Sequence, residues 1–418
     1  MRESGVKAER VSVTVAEARD LILSEAQPLG SETIGLSRAT GRVLAEEICA
    51  EVLIPPRDNS AMDGFAVRAE DVRSTPTTLS VVEEIPAGRR PERKIGPGEA
   101  ARIMTGAAVP EGADTVIMIE ETVSAGASVT IQKSGPKGEF VRRAGSDVVP
   151  GSLIAEPGTV IGPALVGMLS AIGRTTLAVA VRPRVAILST GDELVEPDRL
   201  EPDGRIVSSN SYSLQSALSE LGVEAVYLGI VPDRPEQIEA RFRQALGCDA
   251  AISTGGVSVG DRDWIKQVLA DLGGEMRLWR VKMRPGAPMA FSLVDGKPVF
   301  GLPGNPVSTL VTFEEFVRPA LLRMMGHAKL FRPVERALLA ETFEKPRGRM
   351  HLLRVRLEER EGQTVAVPTG DQTSHILLSM VHADGLAIIP AEAERVPAGS
   401  EVAVQMLRRD DLRADPGF

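Results

Sequence analysis

Between Pro183 and Gly326 one pattern repeats: a short apolar run, a polar loop, then a segment with helical apolar spacing. RVAILST is followed by a helix over SLQSALSELG, AVYLGIV by a helix over RPEQIEARFRQALG, DAAIST by another helix, and PVFGLP by a long helix. Apolar strands alternating with amphipathic helices specify βαβ units and a parallel, doubly wound sheet. In such sheets ligands bind beyond the carboxyl ends of the strands. Three of those ends are polar loops: Ser189-Thr190-Gly191-Asp192-Glu193, Ser253-Thr254-Gly255-Gly256-Val257-Ser258, and Gly301-Leu302-Pro303-Gly304-Asn305-Pro306. They should converge on one crevice. Thr190, Gly191, Gly255, Gly256 and Ser258 are the candidates for substrate binding, since glycines let backbone N–H groups approach a ligand and hydroxyls supply donors. With no GK[ST] after the glycines and no GxGxxG, neither an ATPase P-loop nor a dinucleotide fingerprint fits.

The rest of the chain has a different texture. Thr14 stands three residues before Glu17, with Leu21 and Ile22 following on one face, which is a capping-box start to a helix within Ser12 to Leu29. Short β-rich runs fill Ile54 to Asp147 and return after Gly326. GTVIGPALVGMLSAIG has helical spacing and leads to a strand over TTLAVAVRP. The expected division is a discontinuous N-terminal domain (10–53 and 147–182), an inserted mainly-β domain (54–146), an α/β domain (183–327) and a C-terminal β domain (328–418). A chain of 418 residues, 43% hydrophobic and 25% charged, supports several cores. Its net charge of −9 argues against a general nucleic-acid binder, so any anion site must be local. No apolar stretch reaches the roughly 20 residues of a membrane span and no secretory leader is evident, so a cytoplasmic protein without a membrane partner is expected. Cys49 and Cys248 form no CxxC and the four histidines no HExxH, which argues against a disulfide framework or a zinc site of those types.

Carboxylates gather at the strand ends: Asp192 and Glu193, Asp233 after AVYLGIV, and Asp261 and Asp263 after GGVSVG. Hard oxygen ligands beside a phosphate site suit Mg²⁺, which takes one or two carboxylates plus substrate oxygens; Asp192, Glu193 and Asp261 are the candidate ligands. Asp233 precedes Pro235 and a helix, so capping competes with catalysis for it, and Asp261 and Asp263 have the same alternative. Strand alternation would put Arg280, Lys282 and Arg284 on one face, as an anion site or a solvated basic edge. The Pro303–Pro306 turn should aim free helix N–H groups at the crevice as an oxyanion seat. Asp58–Gly64 and Arg102–Ala107 are polar turns in the β module, more often structural than functional when taken alone.

Taken together, PPRDNSAMDGFAVR, ARIMTGAAVPEGADTVIM, ILSTGDEL, STGGVSVGDRDW, VKMRPGAP and GLPGNPVS resemble, in order and spacing over nearly the whole chain, the signatures of the molybdopterin molybdotransferase family. The resemblance implies a multidomain α/β plus β fold whose α/β domain is similar to molybdopterin adenylyltransferase, the upstream enzyme, and an elongated homodimer. It implies insertion of molybdate into adenylylated molybdopterin with release of AMP, assisted by Mg²⁺. Matched motif by motif, Glu193, Asp233, Asp263 and Asp147 fall at functional carboxylates, while Asp63 and Thr105 resemble residues supplied by the partner subunit. Pro303, Pro306 and Ser308 match the GLPGNP turn and its hydroxyl, and Arg354 and Ser374 resemble C-terminal residues near molybdate. Where relatives commonly read KPGKP, this chain reads Arg284-Pro285-Gly286-Ala287-Pro288, one cation fewer. An adenylyltransferase and a peptide-binding scaffold are the competing readings.

Overall fold

The computed structural model describes residues 12–199, 204–256 and 264–407. They fall into two compact units. One takes the chain up to Glu32, Gly158–Val160 and everything from Val179 onward; the other takes Thr33–Pro157 and Ile161–Ala178. This grouping differs from the four-segment division in that the capped N-terminal helix joins the α/β segment and the C-terminal β segment.

The first unit is built on a six-stranded sheet ordered Glu224–Val231, Arg184–Thr190, Ala250–Thr254, Lys297–Leu302, Pro288–Val294, Glu275–Arg280. The first four strands run parallel. Pro288–Val294 runs antiparallel to both its neighbours, so the sheet is mixed rather than wholly parallel. The reason is local: Asp295 and Gly296 both take positive φ, 50° and 75°, and make the two-residue turn that pairs Val294 with Lys297. Asp-Gly between apolar runs favours such a hairpin because both central residues tolerate left-handed backbone.

Both faces of the sheet are covered, which is why its strands read as continuous apolar runs. Val185 and Ile187 pack into a core with Leu214, Leu218, Val311 and Phe316, while Ala186 and Leu188 point the other way, toward Ile238, Phe242, Ile265 and Val268. Each fully buried side chain of this size contributes about 1.5–3 kcal/mol. The helix Val15–Glu25 begins with the expected capping box: the Glu17 N–H donates to Thr14 Oγ1 at 3.2 Å and the Thr14 N–H to Glu17 Oε2 at 2.8 Å. Its buried Val15, Ala18 and Ile22 join the first of those cores, and Arg19 bonds the buried Glu315.

The C-terminal strands Met350–Arg360, Gln363–Pro368, Val334–Leu339, Glu401–Met406 and Gly385–Ile389 pair in that order, and the last pairs back to the first, so the sheet closes on itself. Met283–Arg284 adds in parallel to its Met350–Arg360 strand, with Arg284 opposite His351. A segment contiguous with the α/β sheet thereby becomes part of the C-terminal sheet, which fixes where Arg284 stands.

The second unit carries the inserted β module. Its sheet runs Thr115–Met118, Gly64–Val67, Glu99–Ile103, Thr77–Ile85, Ser128–Ile131, Thr122–Ala125. Phe65 and Val67 face one core, Ala66 the other. The helix Pro163–Ala171 lies in this unit. Among the described residues no helix is long and apolar enough to cross a membrane.

Candidate active site

The parallel strands end at Thr190, Val231, Thr254 and Leu302, and the loops that follow all border one cavity of about 770 Å³. Thr190, Gly191, Glu193, Asp233, Gly255, Gly256, Pro303, Asn305 and Ser308 line it. The strand order places the crevice where successive connections leave Arg184–Thr190 and Ala250–Thr254 in opposite directions, the expected ligand position in an open α/β sheet.

Buried hydroxyls weld the strand ends together. Ser189 Oγ and Thr254 Oγ1 are 2.9 Å apart, and Ser208 Oγ donates to Ser189 Oγ at 3.1 Å. The Gly255 N–H donates to Leu302 O and the Gly191 N–H to Val231 O, so each loop is tied to its neighbour. Close approach demands glycine at Gly255, where a Cβ, at φ +85°, would lie 2.5 Å from the Thr190 carbonyl oxygen; at Gly191 a Cβ would meet only the movable Glu193 carboxylate. Further along, Glu196 accepts hydrogen bonds from the chain's two tyrosines, Tyr212 at 3.0 Å and Tyr227 at 2.8 Å, which anchors the loop to a helix and to the edge strand. Burial and the Glu196 carboxylate push the Tyr227 hydroxyl up to about 12.

Asp233 does not cap the helix it precedes. Pro235–Ala245 has Arg234 as its N-cap with no side-chain bond, and the Asp233 N–H instead donates to Asp192 Oδ1 at 3.2 Å. Burial, with Asp192 and Glu193 nearby, raises the Asp233 carboxyl above its ordinary range. Asp192 is exposed and does not line the cavity. Among the described residues no three His, Cys, Asp or Glu side chains are grouped so as to hold a metal ion by themselves. Ser258, Asp261 and Asp263 lie outside the described residues.

The other wall is cationic. Arg284 lines the cavity beside Ala287, and Arg349, Gln372, Thr373, Ser374 and His375 come from the C-terminal segment. Arg280, half-buried at the end of its strand, does not reach the cavity, because Val281 and Met283 turn inward and the strand breaks before Arg284. The helix after GLPGNP starts at Pro306, and its turn is less free than its sequence suggests. The Val307 N–H donates to Ser374 O at 3.1 Å, and Asn305 Nδ2 donates to Ser374 Oγ at 2.9 Å. Ser308 remains directed at the cavity, whereas Pro306 shapes the turn without lining it.

Arg354 is 1% exposed and holds a loop instead of facing the cavity. Its guanidinium donates to Ser379 Oγ at 3.1 Å and to the carbonyls of Asp371 and Thr373 at 3.2 and 3.1 Å, and burial lowers it to about 10. Arg349, missed in the sequence, is the C-terminal arginine that does line the cavity. It lies in the Gly348-Arg349 turn before the long strand, outside any recognisable periodicity, so only its placement reveals it.

Three candidates belong to the second unit. The Asp63 carboxylate accepts from the Thr105 N–H at 2.6 Å and from Thr105 Oγ1 at 2.8 Å, and those bonds lower its pKa. The two polar turns are thus tied to each other. Asp147 is exposed, and its N–H donates to Ile54 O.

Three family models match in succession: the MoeA N-terminal region (domain I and II) over residues 13–173, the "Probable molybdopterin binding domain" over 186–323, and the MoeA C-terminal region (domain IV) over 336–407. Molybdopterin molybdenumtransferase 2 of Mycobacterium tuberculosis (strain ATCC 25618 / H37Rv) is 37% identical over 382 residues, covering 89% of this chain and 94% of that protein. The molybdopterin molybdenumtransferase of Nostoc sp. is 37% identical over 395 residues, 90% and 89% of the two chains. A crystal structure of the molybdopterin biosynthesis moea protein from Pyrococcus horikosii superposes with a TM-score of 0.83 at 33% identity, covering 96% of this chain and 100% of that one.

Proposed function

Since the chain belongs to the molybdopterin molybdenumtransferase family, we propose that it is the transferase that inserts molybdate into adenylylated molybdopterin and releases AMP, in molybdenum cofactor biosynthesis. The observation that carries this reading is the convergence, on one cavity, of glycine and hydroxyl loops, two carboxylates and two arginines. The loops after Thr190, Thr254 and Leu302 suit a pterin and its phosphates, because glycine backbone can approach closely and hydroxyls can donate. Arg284, Arg349, Ser308 and Ser374 suit a tetrahedral dianion, with guanidinium groups making charge-assisted bonds to its oxygens.

Cleaving a phosphoanhydride requires charge neutralisation and alignment of the attacking oxygen. Asp233, whose carboxyl is raised by burial and by its two acidic neighbours, is placed to hold or take a proton at a carboxyl oxygen. Glu193, folded over Gly191, orients the substrate phosphates. A divalent cation of the Mg²⁺ kind would have Glu193 as its ligand on the cavity wall and substrate oxygens for the rest, since Asp192 does not line the cavity and the described residues form no complete protein cage. Bound there, it would supply charge neutralisation at the phosphates.

A cytoplasmic homodimer, fed by a molybdopterin adenylyltransferase, is part of the same reading. Support for the dimer comes from Val52, Leu53, Val149 and Leu153, apolar side chains left 38–53% exposed in the second unit. The deciding experiment measures AMP release from adenylylated molybdopterin with and without oxyanion and divalent cation. Release should require both; full-rate turnover without oxyanion overturns the coupled reaction. Supplying free molybdopterin and ATP tests the adenylyltransferase alternative in the same assay, and formation of the adenylate would favour it.

A further inference from the structure

The helix that follows GLPGNP is not uniform. Pro306–Thr312 and Arg318–Met324 are α-helical, and between them Phe313–Val317 makes a π turn closed by the Arg318 N–H donating to Phe313 O. Pro319 accounts for the turn: it has no N–H for the Glu315 carbonyl, and its ring would strike that carbonyl in a regular α-helix. Within the turn stands Glu315, 1% exposed, whose carboxylate takes the guanidinium of Arg19 from the helix Val15–Glu25. The pair is incompletely satisfied. Glu315 Oε1 and Arg19 Nε are both buried without a hydrogen-bond partner. A buried pair in that state adds little to stability against an apolar pair of the same size, so what it contributes is geometry.

Both helices lead to one loop. Thr312, the last residue before the π turn, lies against Gly286: a Cβ on Gly286 would stand 2.5 Å from Thr312 Cγ2, so loop and helix touch with no side chain between them. Thr312 Oγ1 also donates to Ser308 O at 2.7 Å, one turn nearer the cavity. At the start of the other helix, the Val13 N–H donates to Arg280 O at 3.1 Å and the Lys282 N–H to Val13 O at 2.7 Å, which ties the segment leading into Arg284 to the helix that carries Arg19. These connections close a ring from the Arg284–Pro288 loop through Thr312, Glu315, Arg19 and Val13 back to Lys282. Neither Arg19 nor Glu315 lines the cavity.

We propose that the Arg19–Glu315 pair is a positioning clamp: by holding the two helices together it sets where the Arg284–Pro288 loop stands, and with it the place of Arg284 at the cavity wall. A hydrogen-bonded ion pair suits this task because it fixes one approach of the helices, whereas apolar side chains of similar volume repack at little cost. That Arg284 meets the oxyanion rests on the proposed transferase reaction; that the pair sets the loop rests on the ring of contacts.

The test replaces both charges at once, Arg19→Met with Glu315→Met, so that no unpaired charge is left buried. Thermal unfolding should place this double variant at or above wild type. In AMP release from adenylylated molybdopterin its oxyanion KM should rise about tenfold, the scale of one displaced charge-assisted contact. The KM for the adenylylated substrate, assigned to the loops after Thr190 and Thr254, should stay within about twofold, since P-loop-like backbone contacts there are not part of the ring. A merely structural pair would lower the unfolding midpoint and leave the oxyanion KM alone; that result overturns the clamp, as does an equal rise in both constants. Glu314→Gln is the control, because this neighbour in the same turn accepts from Arg332 at 3.0 Å, outside the ring, and an equal oxyanion effect there also overturns the clamp. Should the double variant not fold, Glu315→Gln keeps the shape without the charge and carries the same two expectations for KM. Should wild type release AMP at full rate without oxyanion, the transferase reading fails by itself and crystal structures decide the clamp. Movement of the Arg284–Pro288 loop by about 1 Å in the double variant, the scale that matters to a reacting complex, then supports it, and an unmoved loop overturns it.

Discussion

Gly255→Ala should abolish most of the activity for a reason that can be worked out in advance. At φ +85° an alanine carries about 1–2 kcal/mol of left-handed strain. Its Cβ would also stand 2.5 Å from the Thr190 carbonyl oxygen, where ordinary contact needs roughly 3.5 Å, so the loop Thr190–Glu193 or the loop Gly255–Gly256 must move by about 1 Å. Both loops line the cavity, and a misplacement of that size in a reacting complex is worth about 10²-fold in rate. Strain alone is controlled by Gly273→Ala, at φ +75° with nothing within 4 Å of the added Cβ and no part in the cavity. Thermal unfolding should show both variants destabilised by about 1 kcal/mol or somewhat more. Only Gly255→Ala should lose AMP release, by about two orders of magnitude. Activity within twofold of Gly273→Ala, with the protein folded, would refute the argument that these two loops set the substrate geometry.

Other outcomes follow from the same site. Ala287→Lys adds a cation to the cavity wall, so molybdate should bind roughly tenfold tighter, the scale of one contact of about 1.5 kcal/mol; unchanged or weaker calorimetric binding means the pocket is built around the alanine. His351 has a native pKa lowered to about 4 from an ordinary 6.5, so the unfolded chain takes up its proton first as pH falls. The stabilisation present above pH 6.5 is therefore lost between 6.5 and 4, by up to about 3 kcal/mol, and His351→Gln should flatten that part of the stability–pH curve measured by urea unfolding; an unchanged slope contradicts it. Mixing inactive Asp63→Ala and Glu193→Ala proteins should restore part of the activity through heterodimers if the partner subunit completes the site. No recovery despite demonstrated subunit exchange would sink shared sites. Arg354→Ala removes the clamp on the Asp371–Thr373 loop, and should cost about 1–3 kcal/mol for each carbonyl left unsatisfied; a loss under about 1 kcal/mol in denaturant unfolding would show that the loop holds without it.

The α/β frame and the loops after Thr190, Thr254 and Leu302 were legible in the sequence because burial on both faces leaves continuous apolar runs and because a strand end must be followed by polar punctuation. The capping box at Thr14 was legible for the same kind of reason, since its two bonds join residues three apart. What periodicity cannot carry is contact between residues distant in the chain. Arg284 lines the cavity because its two-residue strand pairs with Met350 and His351, 67 positions away. Its neighbour in the pattern, Arg280, does not, because the strand breaks between them. Arg349 and Arg354 look interchangeable as basic residues in a β-rich segment; burial alone separates them, Arg354 spending its donors on carbonyls and Arg349 keeping its own at the cavity wall. Likewise Asp233 stands two residues before a proline and reads as a helix cap, but the two carboxylates near it, Asp192 and Glu193, come from the loop after a different strand and raise its carboxyl. Local sequence determined which residues could do chemistry. Only the tertiary structure decided which of them share a cavity, because charge, desolvation and donor supply are properties of the neighbours a side chain meets in space.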